Sequence, residues 1–257
     1  MEIRSTNETV NVVCLKWGEL YGAEYVNKLF NMVSRNLSLP FRFICLTENG
    51  NGLEPGVEVW PLPEFEEPPW EYARVCSAWR KLALFKPGLA DMQGKTLFLD
   101  LDVVIVDNID ALFLFSSKLA IIENWYQPNR LIGQASAICF EAGQPFDVLN
   151  HYLDDPSKVL KTYRTEQAYI TGHLGLGAFD YFPDSWCCSF KKHCLSNGLA
   201  GVISAKSCIP EGAKIIIFHG SPNPPDAIKG QWGKKLPWYK KLYKRVSPAS
   251  WVAEHWC

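Results

Sequence analysis

Apolar and polar positions along the chain fall into short runs that predict alternating strands and helices. Val10 to Leu15 is a short apolar run and reads as a buried strand. From Ala23 to Leu37, the positions Tyr25, Leu29, Val33 and Leu37 recur every four residues, one stripe of a helix that Pro40 ends. Phe41 to Leu46 is a second strand, closed by the turn-rich Glu48 to Gly52. This β-α-β start favours a parallel sheet with a right-handed crossover. Val57 to Trp60 reads as a third strand, and the acidic, proline-rich Pro61 to Trp70 as a surface loop. A second helix is expected near Val75 to Phe85, stopping at Pro87. Thr96 to Val106 is the most hydrophobic strand, interrupted only by two aspartates. Ala120 to Ile122 and Ser136 to Phe140 are further strands, and Phe146 to Leu153 and Glu166 to Thr171 short helices. Lys214 to Phe218 is a late strand running into His219 and Gly220. The glycine-rich Gly172 to Gly177 lacks the strand-helix flanks of a dinucleotide site and reads as a loop. With no dividing linker and no internal repeat, the pattern predicts a single α/β domain over residues 1–257. Its tail from about Lys229 is basic and aromatic, with Trp232, Trp238, Tyr239 and Tyr243 among lysines.

Composition narrows the class. A chain of 257 residues, 47% hydrophobic and 21% charged, can bury a sizeable core and is not a disordered polymer. A net charge of -1 offers no electrostatic footprint for nucleic acid, so none is expected as a partner. No apolar run reaches the roughly 18 residues that span a bilayer, so no transmembrane segment is expected. Met1 to Thr9 is polar and lacks a signal-peptide core. The nine cysteines include no C-x-x-C pair, which suggests neither a disulfide framework nor a zinc knuckle. Cys14, Cys45 and Cys139 sit inside apolar runs and read as core residues. A cytoplasmic location is the expectation.

The chemistry concentrates at Leu99-Asp100-Leu101-Asp102-Val103-Val104. Burying two carboxylates in an apolar strand without partners costs several kcal/mol, on the order of the desolvation of each ion. A cation at the strand's exposed end would offset that cost. In open α/β sheets, ligands bind at the carboxyl ends of strands. A hard divalent ion takes carboxylate oxygens and can share phosphate oxygens with them. The structural alternative is one aspartate capping a turn and the other pairing with an arginine. Two enzyme classes place D-x-D after such a strand: glycosyltransferases of the GT-A type and haloacid-dehalogenase-like phosphatases. The D-x-D-x-[TV]-[LV] pattern of the latter is fitted by Asp100, Asp102 and Val104, with Ile105 at the last apolar position. The phosphatases put the motif at the first strand, whereas here a β-α-β unit precedes it.

Three stretches resemble glycosyltransferase family 8, the glycogenin-like and lipopolysaccharide galactosyltransferase-like enzymes. The first runs from Trp79-Arg80-Lys81-Leu82-Ala83-Leu84-Phe85 through the aspartates to Asn108-Ile109-Asp110 and Leu112-Phe113. The second is Glu166-Gln167, and the third is Phe218-His219-Gly220-Ser221-Pro222-Asn223-Pro224. The resemblance implies a GT-A-type, Rossmann-like domain with a mixed, mostly parallel central sheet. It implies transfer of a sugar, with retention, from a nucleotide-sugar donor such as a UDP-sugar to an unidentified glycan, lipid or protein acceptor. Asp100, Asp102 and His219 would hold Mn2+ or Mg2+, with Asp100 also facing the donor. Lys81, Gln134, Gly220 and Ser221 would contact the donor, Tyr21 and Trp17 its base, and Glu166 and Gln167 the reacting carbon. The chain departs from the family pattern at Glu166, where aspartate is usual, and at Gln134, where asparagine is common. It departs also at Asn223, where a diphosphate-binding lysine is expected, and Lys229, Lys234 and Lys235 are the candidates to replace it. A sugar-nucleotide-binding protein without catalysis is the other outcome that Asn223 leaves open.

Overall fold

The computed structural model describes residues 8–64, 77–128, 130, 132–195, 205–233 and 245–257. Much of the expected Pro61–Trp70 loop, the expected helix start at Val75, and tail residues Lys234, Lys235, Trp238, Tyr239 and Tyr243 lie outside them.

The first strands form as their patterns dictate. β1 (Val10–Lys16) is buried along its whole length. Its alternate side chains serve two cores: Val12 and Cys14 face one side, Val13 and Leu15 the other. A strand covered on both faces has no polar side, which is why the run reads as continuously apolar. Helix α1 (Ala23–Asn36) buries Val26, Leu29, Met32 and Val33, so its buried stripe is broader than the i+4 row, and Tyr25 lies at its edge. β2 (Phe41–Thr47) and β3 (Val57–Trp60) follow in parallel.

The expected strand Thr96–Val106 is two strands. β4 (Gly94–Leu99) pairs in parallel with β1, and β5 (Val103–Ile105) belongs to another sheet. The chain turns at Asp100-Leu101-Asp102, so the aspartates mark the departure from the first sheet. Hydrophobicity alone could not reveal this break, since both halves are fully buried. β6 (Leu119–Glu123), β7 (Gly133–Ala142) and β8 (Phe179–Tyr181) complete a seven-stranded sheet of order β3-β2-β1-β4-β7-β6-β8. β7 runs against both of its neighbours, and every other pairing is parallel. The mixed, mostly parallel α/β sheet expected from the sequence is the one found. A smaller sheet, β5-β10-β9, brings together Val103–Ile105, β10 (Ile215–Ile217) and β9 (Cys187–Ser189).

Short helices cover the rest: α2 (Asp110–Leu114), α3 (Val148–Asp154), α4 (Pro156–Thr162), α5 (Glu166–Leu174), α6 (Pro224–Ile228) and α7 (Ser250–His255). Gly172, His173 and Leu174, expected in a loop, form the last turn of α5, and Gly175 caps it. The expected helix ending at Phe85 is a 3₁₀ helix, Ser77–Phe85. Trp79 anchors this segment: it is fully buried and stacks on Tyr152 of α3 at 5.4 Å and Tyr169 of α5 at 5.7 Å between ring centroids. Among the described residues no helix is long and apolar enough to cross a membrane.

Trp79→Ala is expected to lower unfolding free energy by about 3–5 kcal/mol, the usual cost of emptying a buried aromatic site. Urea unfolding followed by circular dichroism checks it, and a loss under about 1 kcal/mol would mean the three rings do not clamp the segment.

Candidate functional site

Three pieces of chain end at one place. β1 and β4 run parallel and finish at Lys16 and Leu99, and β7, running oppositely, begins beside them. The Asp100 amide donates to the Ser136 carbonyl at 2.9 Å, which fixes the aspartate turn against β7. A cavity of about 400 Å³ opens there. Trp17, Tyr21, Lys81, Asp100, Asp102, Gln134, Glu166, Gln167, His219 and Gly220 all line it. Of the site residues expected from sequence, only Ser221 is absent from the lining. Leu15, Leu20, Ala78, Leu101 and Ser136 complete the wall and had no sequence signal.

Lys81 is buried rather than solvated at the helix surface. Its Nζ lies 2.8 Å from both carboxylate oxygens of Asp100 and donates to the Ala135 carbonyl at 2.9 Å. Burial pulls its pKa down, but Asp100, Glu166 and Asp102 outweigh that and hold it above the ordinary lysine value. It therefore remains an ammonium. Glu166, in the first turn of α5, is buried too. Burial raises its pKa and the Lys81 charge opposes the rise. Asp102 is the most strained charge in the pocket. Burial and the neighbouring Asp100 push it up to about 7, against the stabilising hydroxyl of Tyr21. That hydroxyl donates to Asp102 Oδ2 at 3.0 Å. Tyr21 is thus tied to the carboxylate, and its ring packs on Tyr25 at 4.6 Å.

The amide of Gln134 is used locally: Nε2 donates to Ser136 Oγ at 2.6 Å and Oε1 accepts from the Ser136 amide at 3.0 Å. Gln167 Oε1 accepts from the Ala135 amide at 3.3 Å. Thr165 caps α5 by accepting from the Ala168 amide, which sets the first-turn residues Glu166 and Gln167 at the cavity.

His219 reaches the same cavity but is not drawn into a cluster with the aspartates. Its Nε2 meets Ser189 Oγ at 2.6 Å, and its ring packs against Trp125 at 5.7 Å and Tyr126 at 5.5 Å. Burial and the Lys191 charge lower its pKa to about 4, so the ring is neutral in the physiological range. Among the described residues no three His, Cys, Asp or Glu side chains stand close enough to hold a metal ion together. The Ser189 hydroxyl at the end of β9 engages the imidazole of the segment after β10, a contact that no local sequence pattern encodes.

Asn223 has a structural task that explains its identity. It is the N-cap of α6, and its backbone N–H donates to Asp226 Oδ2 at 3.1 Å. A positive charge stands elsewhere. Lys191, in the π-helical turn Phe190–Cys194, donates from Nζ to the His219 carbonyl at 2.5 Å. A β-carbon placed on Gly220 would lie 4.0 Å from that Nζ. Gly220 itself adopts φ +75°, where a side chain would be strained. Lys191 carries no motif and was invisible until β9 and β10 paired.

No protein-family model matches the sequence, and comparison with curated proteins finds no match either. Solved structures do match. An active-site glutamine-to-glutamate mutant of LgtC is similar with a TM-score of 0.60 at 13% identity, covering 91% of this chain and 99% of that one. The galactosyltransferase LgtC in complex with donor and acceptor sugar analogues is similar with a TM-score of 0.54 at 14% identity, covering 83% of this chain and 88% of that one. At such identity the likeness is one of fold, and the fold of this chain is the GT-A-type α/β architecture of those structures.

Proposed function

We propose that this protein is a glycosyltransferase that takes a sugar from a nucleotide-sugar donor bound in the cavity at the ends of β1, β4 and β7. The observation that carries the reading is the Asp100–Asp102 turn: two adjacent carboxylates, one buried and pushed toward neutrality, facing a cavity on the fold of a galactosyltransferase. The phosphatase alternative does not fit the topology, because its motif follows the first strand whereas Asp100 follows β4.

A divalent cation, Mn2+ or Mg2+, fits Asp100 and Asp102. Their hard oxygens suit such an ion, and burial, with repulsion from Asp100, is what raises Asp102. Such ions commonly take one or two carboxylates and complete their shell with substrate phosphates and water, so a preassembled triad is not required. His219, neutral and lining the cavity, becomes available as a further ligand when its ring leaves Ser189. When bound, the cation supplies charge neutralisation for the departing nucleoside diphosphate. Lys81 orients Asp100 and adds positive potential beneath the sugar. Lys191, beside the His219 and Gly220 backbone, supplies the charge expected at Asn223. Gln167 and Glu166 flank the reacting carbon. There the bond from the anomeric carbon to the diphosphate oxygen breaks, and one to an acceptor hydroxyl forms. The hydroxyl proton leaves with the diphosphate. UDP as the nucleotide and retention of configuration belong to the same proposal and rest on the sequence resemblance.

A thermal-shift screen of nucleotide sugars tests the donor site: stabilisation is expected only with donor and Mn2+ together. Asp102→Asn is expected to abolish both that shift and transfer while the protein stays folded. A variant that keeps transfer activity would sink the reading.

Lys191→Ala is expected to raise the donor KM by roughly tenfold or more, the loss of one charge-assisted contact, with Lys191→Arg recovering most of it. An unchanged KM in steady-state kinetics would remove Lys191 from the site.

Protons and cations compete for Asp102. Its folded pKa, about 7, lies above its ordinary aspartate value. The folded state therefore keeps a proton that the unfolded state has lost, and this contribution to stability disappears as pH rises through about 7. Without cation, the melting temperature is expected to fall between about pH 4 and 7 more steeply than for Asp102→Asn. Stabilisation by Mn2+ should grow over the same interval. Parallel curves for the two proteins would show that the carboxyl is not strained.

A further inference from the structure

A second cavity, of about 630 Å³, shares Gln167 with the first. Its charge is opposite. The donor pocket sets Asp100, Asp102 and Glu166 against the single ammonium of Lys81. The second cavity has Arg130 and Arg164 as its charged lining and no acidic residue. Both arginines are exposed. Among the described residues neither guanidinium is ion-paired with a carboxylate. Two guanidinium groups on one cavity present planar forks of donors suited to phosphate or carboxylate. The half-buried Tyr163, the exposed Leu176 and the buried Phe179 line the same cavity. Aromatic and aliphatic faces of this kind pack against the C–H face of a sugar ring.

We infer that this cavity is the acceptor subsite and that it selects an acceptor bearing an oxyanion, a phosphate or a carboxylate, held by Arg130 and Arg164. The inference rests on the reading of the neighbouring cavity as the donor site. Gln167 stands at the boundary, one face toward the donor's reacting carbon and the other toward the acceptor. Because both arginines are exposed, the selectivity is electrostatic and weakens as salt rises.

The test uses the full chain at low ionic strength with glucose, glucose 6-phosphate and glucuronate as probes, and ligand-observed NMR titration as the readout. One or both anionic sugars are expected to bind at least about tenfold tighter than glucose, the scale of a charge-assisted contact. Which of them binds identifies the oxyanion, and competition by inorganic phosphate tells whether the group alone suffices. The double variant Arg130→Ala/Arg164→Ala should lose the preference while keeping its melting temperature and its Mn2+-dependent thermal shift with the nucleotide sugar. Equal binding of all three sugars to the wild-type protein, or a preference that survives the double variant, overturns the inference. Loss of the nucleotide-sugar shift in the wild type is a separate result. It overturns the donor reading, and with it the naming of this cavity as an acceptor subsite, while the anion preference is still read independently.

Discussion

One ammonium organises the pocket. Lys81 lies beneath Asp100, and the carboxylates of Asp102 and Glu166 feel its charge. Three acidic groups around one buried cation leave an excess of negative charge in a place with little water. Burial, with the charge of Asp100 added to it, raises the pKa values of Asp102 and Glu166. A fold that tolerates such an arrangement without a bound partner holds it at a cost in stability. Removing Lys81 would leave the carboxylates uncompensated, which is far more destabilising than removing an exposed pair. Lys81 is in turn held by packing: Trp79, two residues earlier, is packed on both Tyr152 and Tyr169. The aromatic stack behind the sheet and the charge in front of it are one mechanical unit.

Much of this was legible in the sequence because it is local. β1, α1, β2 and β3 follow from short-range apolar periodicity, and the aspartate pair stood out as charge inside an apolar run. What was not legible depends on contacts distant in the chain. The strand 96–106 looked continuous because Leu97, Leu99, Val103 and Ile105 are all buried, yet they belong to two sheets. The three-residue strands β8 and β9 are too short for any period to register. The segment at Lys81 satisfies a helical pattern but is wound as a 3₁₀ helix, a difference of hydrogen-bond register that side-chain spacing over nine residues barely distinguishes. Lys191 became a candidate only through the pairing of β9 with β10, which sets it against His219.

Asn223 shows how a departure from a family pattern can be read physically. In isolation, asparagine in place of lysine suggested a lost charge. In the fold the residue opens α6, where an asparagine serves well as an N-cap and a lysine would place positive charge at the positive end of a helix. Lys191 approaches the neighbouring His219 backbone from the turn that follows β9.

The small sheet does more than cover α1. The peptide that carries Asp100 and Asp102 is the one that crosses from the large sheet to the small one, since β4 ends before it and β5 begins after it. β5 pairs with β10, whose end leads into His219 and Gly220, and β10 pairs with β9, which leads into Lys191. The large sheet therefore contributes the carboxylates and the small sheet the imidazole, the glycine backbone and the second lysine. A shift of one sheet against the other would change the distance between these two groups directly, without unfolding either. The Ser189–His219 contact joins the end of β9 to the segment that follows β10. Completion of a cation site would then be governed by that single hydrogen bond, while the placement of Asp100 and Asp102 is governed by the packing of the crossover.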